Sequence, residues 1–408
     1  MADIICAIDV GTTKICALIA EVVDEHAVRV LGVGRVPSEG LAKGVVVNVA
    51  AATAAIGQAV EAAEQAAKVP IGRAYVGIAG SHVQAHPTKG VVPVNRTRVV
   101  TVEDVERAKE AARAIALPHN REAIHLVTRS FAVDEQEDLV DPVGMHGYRL
   151  TVDAHVISGA TGAVRNLRRC VEAHGIEVEE LVLQPLASAE AVLTPAERDM
   201  GVVLADIGGG TTDLAILMKG SLCHTVVLDV GGNHLTHDLA VGLNAPLTSA
   251  EQVKVRYGNV LADRTPADQE ISMEVFGDVP QRPVLRQVVN TILAARAEEM
   301  VELILREVKR SGYDGLVPAG LVLTGGSAQM AGLRDLARTM SRWPVRVGLP
   351  TNLAGLPDHL KTPDNATGVG LLLWGLRAYW GPASSNSRRP ENPLLERIVD
   401  WLRNLLPG

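Results

Sequence analysis

Residues 4–20, IICAIDVGTTKICALIA, and residues 201–217, GVVLADIGGGTTDLAIL, follow one plan: an apolar strand, an aspartate at its end, a tight turn and a second apolar strand. Arms this apolar read as buried strands of an α/β protein, so the turns must carry the chemistry. In the second stretch Gly208, Gly209 and Gly210 tolerate positive φ and let backbone N–H groups converge on one point, the geometry of an anion cradle. Thr211 and Thr212 add hydroxyl donors, and Asp206 and Asp213 flank the glycines. A lone carboxylate at the end of a buried strand is costly unless it meets a cation. The pattern points to a nucleotide phosphate with Mg²⁺; the plainer alternative is a hairpin whose glycines only turn the chain.

The first stretch weighs against that alternative. Asp9, Gly11, Thr12 and Thr13 correspond in kind to Asp206, Gly209 or Gly210, Thr211 and Thr212. An internal repeat separated by roughly 200 residues suggests two related domains that face each other and grip a phosphate chain from both sides. Lys14 follows the first turn and either reaches a phosphate or stands solvated at a strand edge. A third glycine turn lies in GLVLTGGSAQMAGL, where Gly325 and Gly326 allow close backbone contact with a ribose or phosphate and Ser327 is a polar handle. Gly231 and Gly232, between a strand and a helix, favour phosphate approach in the same way. Gln184 ends the buried strand LVL just before a helix, where a parallel sheet places its ligands. It suits the orientation of water, or equally a hydrogen-bonded structural role.

Between these motifs the chain alternates strands and helices, with an alanine-rich helix from Ala50 to Lys68 and a long one from Leu285 to Arg310. From residue 83 to 160 short strands surround one helix, capped by Thr101 with Asp104 three residues on, which reads as an inserted small domain. His125, His146 and His155 within it share no ligand spacing and read as surface or core residues. Asp263 to Arg282 reads as polar and irregular.

With 408 residues the chain exceeds a usual single core. A formal net charge of −8 with interspersed signs argues against nucleic acid as the main partner. Cys6, Cys16, Cys170 and Cys223 have no metal-ligand spacing, so they read as buried thiols in a reducing compartment. The segment Val369 to Trp380 is apolar but too short to span a membrane and contains Arg377, and the N-terminus lacks a signal-peptide pattern, so a cytoplasmic protein is expected.

The end of the chain has a different character. Residues 381–392, GPASSNSRRPEN, form a polar linker, followed by PLLERIVDWLRNLL. On a helix, Leu394, Leu395, Ile398, Val399, Trp401, Leu402, Leu405 and Leu406 fill one arc of about 160°. Such a tethered helix suits a membrane interface, with Arg388, Arg389, Arg397 and Arg403 adding about 1 kcal/mol each on anionic lipid. The alternative is a terminal helix docked on the protein's own core or on a partner.

The ordered set DVGTTK, LQPLASAEAVL, DIGGGTTD and LTGGSA resembles the actin, Hsp70 and sugar-kinase superfamily of ATP-binding proteins over about residues 4–380. Within it, HLVTRSFAVDEQEDLVDPVGMHGYRL, VGGNHLTHDLAVGL, AEQVKVRYG and the C-terminal segment are similar to the FtsA family of bacterial cell-division proteins. The resemblance implies an actin-like (ribonuclease H-like) two-domain ATPase. Residues 1–82, 161–200 and 356–380 would form the first domain, with 83–160 as its inserted α+β subdomain. Residues 201–231 and 311–355 would form the second, with 232–310 as its small subdomain, then a linker at 381–392 and a membrane-targeting amphipathic helix at 393–408.

ATP and Mg²⁺ would lie between the halves, Asp9 and Asp206 holding the metal through water. Gly11, Thr12 and Thr13 would clamp phosphate against Gly209, Gly210 and Thr211, while Gly325, Gly326 and Ser327 face the adenosine. Arg296 and Glu299 would neighbour the purine. Gln184 would position water, which suits slow hydrolysis. The family's role implies self-assembly, attachment of FtsZ filaments by their C-terminal tail to the inner face of the cytoplasmic membrane, and recruitment of later division proteins through the inserted subdomain. Two other readings are a soluble small-molecule kinase of the same superfamily and the actin-like protein of pilus machinery.

Overall fold

The same sheet is built twice. In the computed structural model, which describes residues 3–94, 98–114, 117–264, 266, 268–277 and 281–380, the first five-stranded sheet runs Ala27–Pro37, Lys14–Asp24, Ile4–Val10, Arg73–Ile78, Glu177–Leu183. The second runs Ser221–Leu228, Thr212–Met218, Val202–Ile207, Leu321–Thr324, Val345–Val347. In each, three strands form an antiparallel meander and two more add in parallel beside the first. The central strands Ile4–Val10 and Val202–Ile207 are buried along almost their whole length, as their unbroken apolar runs require.

Two helices fill the space between the sheets. Gln184–Val192 starts with a proline in its first turn, and Ala366–Trp380 crosses it so closely that a Cβ on Gly370 would lie 1.8 Å from the Ala187 carbonyl oxygen. Only glycine permits that approach. Their residues join both sheets in one apolar core that includes Leu18, Leu183, Leu204 and Leu372. Helix Val49–Ala67, N-capped by Asn48, covers the other face of the first sheet.

The insertion forms its own four-stranded sheet, ordered Gln84–Pro93, Arg149–Ala160, Arg121–Val133, Gln136–Leu139, with helix Val102–Arg113 against it. Thr101 and Asp104 cap that helix reciprocally, as the spacing requires. Beyond the second hairpin, helices Gly232–Gly242, Leu247–Tyr257 and Arg286–Ser311 share a core with the second sheet. The stretch read as irregular contains a hairpin, Glu270–Glu274 with Gln281–Leu285, whose alternation buries Ile271 and Met273. That short two-residue period was diluted by flanking charge. All four cysteines are free and buried. No helix among the described residues is long and apolar enough to cross a membrane. Leu394, Leu395, Ile398, Val399, Trp401, Leu402, Leu405 and Leu406 lie outside the described residues.

Candidate functional site

Each hairpin makes the same turn: Gly11 N–H donates to the Lys14 carbonyl at 3.0 Å, and Gly208 N–H to the Thr211 carbonyl at 2.9 Å. The strand register then fixes the correspondence, since Asp9 lies opposite Cys16 and Asp206 opposite Asp213. Thr12 and Thr13 therefore match Gly209 and Gly210, and not Thr211 and Thr212 as their chemical kind suggests. The two tips abut. A Cβ on Gly209 would lie 2.1 Å from Thr13 Cγ2, and one on Gly210 2.8 Å from Thr12 Cγ2. Bulk on one side demands glycine on the other.

Below the tips is a cavity of about 250 Å³ that brings together Asp9, Gly11, Thr12, Thr13, Lys14, Gln184, Asp206, Gly208, Gly209, Thr211, Asp213, Gly325 and Gly326. Three aspartates in it are buried. Burial lifts Asp9 to about 6, against the pull of Lys14 and with a push from Asp206. Burial also raises Asp206, opposed by hydrogen bonds from Ser188 Oγ at 2.6 Å and Thr367 Oγ1 at 3.3 Å. Burial and the charge of Asp206 push Asp213 up to about 8.

Asp213 Oδ1 is buried without a hydrogen-bond partner. Clustered carboxylates of raised pKa, one with an orphaned oxygen, fit a divalent cation with hard oxygen preferences. Among the described residues no three acidic, histidine or cysteine side chains form a direct metal cage, so a metal here would need water in its coordination shell.

Other predicted residues are placed less simply. Gln184 Nε2 donates to Asp9 Oδ1 and to the Val10 carbonyl, both at 3.2 Å, so it touches the carboxylate and lines the cavity. Lys14 lines it too, but its ammonium is held by Asp364 at 2.9 Å, which also pairs with Arg35. Thr212 is buried and donates to the Val230 carbonyl at 2.7 Å, locking the hairpin to the segment that follows the next strand. Ser327 Oγ donates to the Gly208 carbonyl at 3.1 Å, where Gly232 N–H also donates at 2.9 Å; these residues brace the second turn from behind.

Arg296 and Glu299 are not brought to the cleft. Arg296 Nε bonds Asp238 Oδ2 at 2.5 Å, and Glu299 pairs with Arg296; neither lines the cavity or the chamber beside it. Instead, an open chamber of about 880 Å³ adjoins the tips at Thr13 and is walled by Asn233, Thr236, Leu247 and Glu251. Buried Lys254 ties this wall together, bonded to the Gly232 carbonyl at 3.1 Å, Thr236 Oγ1 at 2.8 Å and Glu251 at 2.6 Å. Reasoning from sequence missed Ser188, Thr367, Glu251 and Lys254. The spacing of Glu251 and Lys254, one helical turn apart after a Gly-Gly turn, was the available signal.

Residues 203–370 match the family model described as cell division protein FtsA, and residues 80–158 the SHS2 domain inserted in FtsA. FtsA of Pseudomonas aeruginosa is 40% identical over 406 residues, covering 98% of this chain and 97% of that protein. FtsA of Neisseria meningitidis is 38% identical over 411 residues, covering 98% of each. Among solved structures, the PilM–PilN type IV pilus biogenesis complex aligns with a TM-score of 0.65 at 18% identity, covering 91% of this chain and 98% of that one. MreB5 of Spiroplasma citri bound to ADP aligns at 0.53 and 14%, covering 93% and 98%, and the MamK double helical filament at 0.52 and 14%, covering 91% and 98%. These structural likenesses carry the actin-like fold. The full-length sequence relatives carry the family: the chain belongs to the FtsA family of cell division proteins.

Proposed function

We propose that this chain is an actin-like, ATP-binding membrane tether of the division machinery. In this reading ATP with Mg²⁺ sits between the halves and controls assembly, and turnover is slow. The observation that carries it is the cleft: two turns closed by the same backbone hydrogen bond meet beside three buried carboxylates of raised pKa. Asp9 and Asp206 would hold Mg²⁺ through water, with Asp213 beside them. The backbone of Gly11 and Thr12 would face phosphate from one side, that of Gly208 to Thr211 from the other. Bound Mg²⁺ would neutralise phosphate charge. Gln184, anchored on Asp9, would orient water. The sugar and base then extend toward Glu251 and Lys254, in place of the Arg296 and Glu299 neighbourhood the sequence suggested.

Self-assembly is supported by the fold shared with the MamK filament and by the family. FtsZ filaments would dock by their C-terminal tail on residues 232–310, later division proteins on the inserted subdomain, and residues 393–408 on anionic lipid. One amphipathic helix binds reversibly, and a polymer of them binds firmly. The protein would then sit on the cytoplasmic face of the membrane at the division site. The test is co-sedimentation with anionic vesicles: the full chain should pellet and a chain ending at residue 380 should stay in the supernatant. Equal pelleting of both would sink the tether. Calorimetry tests the cleft, since Asp206→Ala should abolish Mg²⁺-dependent ATP binding.

A further inference from the structure

The inserted subdomain belongs by chain connectivity to the first half, yet it is also fastened to the second. Its first attachment is buried. Arg121 donates to the His82 carbonyl at 2.8 Å and the Ser158 carbonyl at 2.9 Å, bracing the two points where the chain enters and leaves the insertion. His125 Nε2 accepts the Leu183 N–H at 3.1 Å, and the opposite ring nitrogen, Nδ1, faces Glu180 at 3.3 Å. Glu180 in turn accepts Trp374 Nε1–H at 2.9 Å. Leu183 precedes Gln184, so this attachment ends one residue from the side chain that touches Asp9.

The second attachment crosses to the edge strand Ser221–Leu228 of the other half. Ser221 Oγ donates to the Arg129 carbonyl at 3.2 Å, and Lys219 pairs with Asp138 at 2.8 Å. Ala85 and Val127 of the insertion also pack on the apolar core that joins the two sheets and includes Leu222. Lys219 and Asp138 are both well exposed, so this attachment is the weaker one.

We infer that the inserted subdomain is a strap across the two halves, fixed to the first and releasable from the second, so that its attitude reports the state of the cleft. A change in the angle between the halves displaces the edge strand relative to Leu183, and the strap must tilt or let go. The subdomain would thereby present a different face to its surroundings when the cleft opens. This inference rests on the nucleotide reading of the cleft for what drives the opening.

The native cysteines are all buried, so cysteines placed at exposed Val140 on the insertion and exposed Leu316 in the second half can be spin-labelled selectively. Pulsed spectroscopy on the full chain should give one narrow distance with saturating ATP and Mg²⁺ and a shifted or broader distribution without them. Asp138→Lys, which sets like charges opposite each other, should broaden the distribution even with ATP, and adding Lys219→Asp should restore it. That restoration separates a lost contact from a failed fold. Calorimetry on the same samples keeps the two readings apart. ATP binding with unmoved distances would overturn the strap alone, as would an Asp138→Lys distribution identical to the parent's. Absence of ATP binding would overturn the nucleotide reading and the reporter role with it.

Discussion

At the tip of the first hairpin Thr12 and Thr13 fill the space between the halves, whereas the matching Gly209 and Gly210 of the second leave it free. Three positions beyond the second of each pair the contrast reverses: the first hairpin has Cys16, a buried thiol pushed up to about 11, and the second has Asp213, a buried carboxyl pushed up to about 8. The shared parts are those the backbone needs, an aspartate ending the strand and a glycine at the turn bond. Among the parts that differ, the tips face one another. A duplicated frame thus serves a single site, with bulk on one side and space and charge on the other.

The comparison can be broken position by position. Cys16→Asp would give the first hairpin the carboxylate of the second, directly opposite Asp9. With no cation bound it should destabilise the chain by about 3 kcal/mol at pH 8 in urea titrations, and by less at pH 5, where a buried acid stays protonated. An unchanged midpoint at pH 8 would contradict the assigned burial.

Asp213→Asn should act in the opposite sense. A carboxyl raised in the folded state loses stability as pH climbs from its unfolded value near 4 through the folded value of about 8. The nucleotide-free variant should therefore match the parent at pH 4 and exceed it by about 2–3 kcal/mol at pH 8, local relaxation taking part of the full linkage. Thermal melts across that range check the divergence.

Gly209→Ala places a methyl against Thr13 and should cost about 1–2 kcal/mol, with weaker ATP binding by calorimetry. Thr13→Gly in the same chain should recover most of both losses; no recovery would mean that the two tips do not meet. The smallest effect belongs to Lys14→Met. Burial raises Asp364, but its bond with Thr362 and the charges of Lys14 and Arg35 outweigh that and hold it below the usual carboxylate range. The pair with Lys14 is partly exposed, so its loss should cost under about 1 kcal/mol at pH 7. That difference should fade as pH falls and Asp364 takes up its proton.

Much of the lining of the candidate cleft was legible because its signals are local. An apolar run before Asp206, three glycines and two threonines state a buried strand and an open turn within a dozen residues, and the same holds around Asp9 and Gly325. Gln184 was legible from its place at a strand end. The misread parts depend on partners far along the chain. Matching Thr12 and Thr13 to Thr211 and Thr212 by kind ignored the register that sets Asp9 against Cys16. Arg296, set beside the purine only by the resemblance, is held by Asp238 on another helix. Ser327 reads as a free handle until its hydroxyl closes on Gly208.

The sequence by itself determined that two buried hairpins with glycine turns exist, that an α+β unit interrupts the first domain, and that the chain belongs with actin-like proteins. Each follows from periodicity, turn chemistry or motif order, which neighbours in sequence are enough to express. Tertiary structure decided which side chains meet across the cleft, which cation Asp364 withholds, and that the insertion touches both halves. Those contacts join residues hundreds of positions apart, and close packing allows only one of the pairings that the residue types alone would permit.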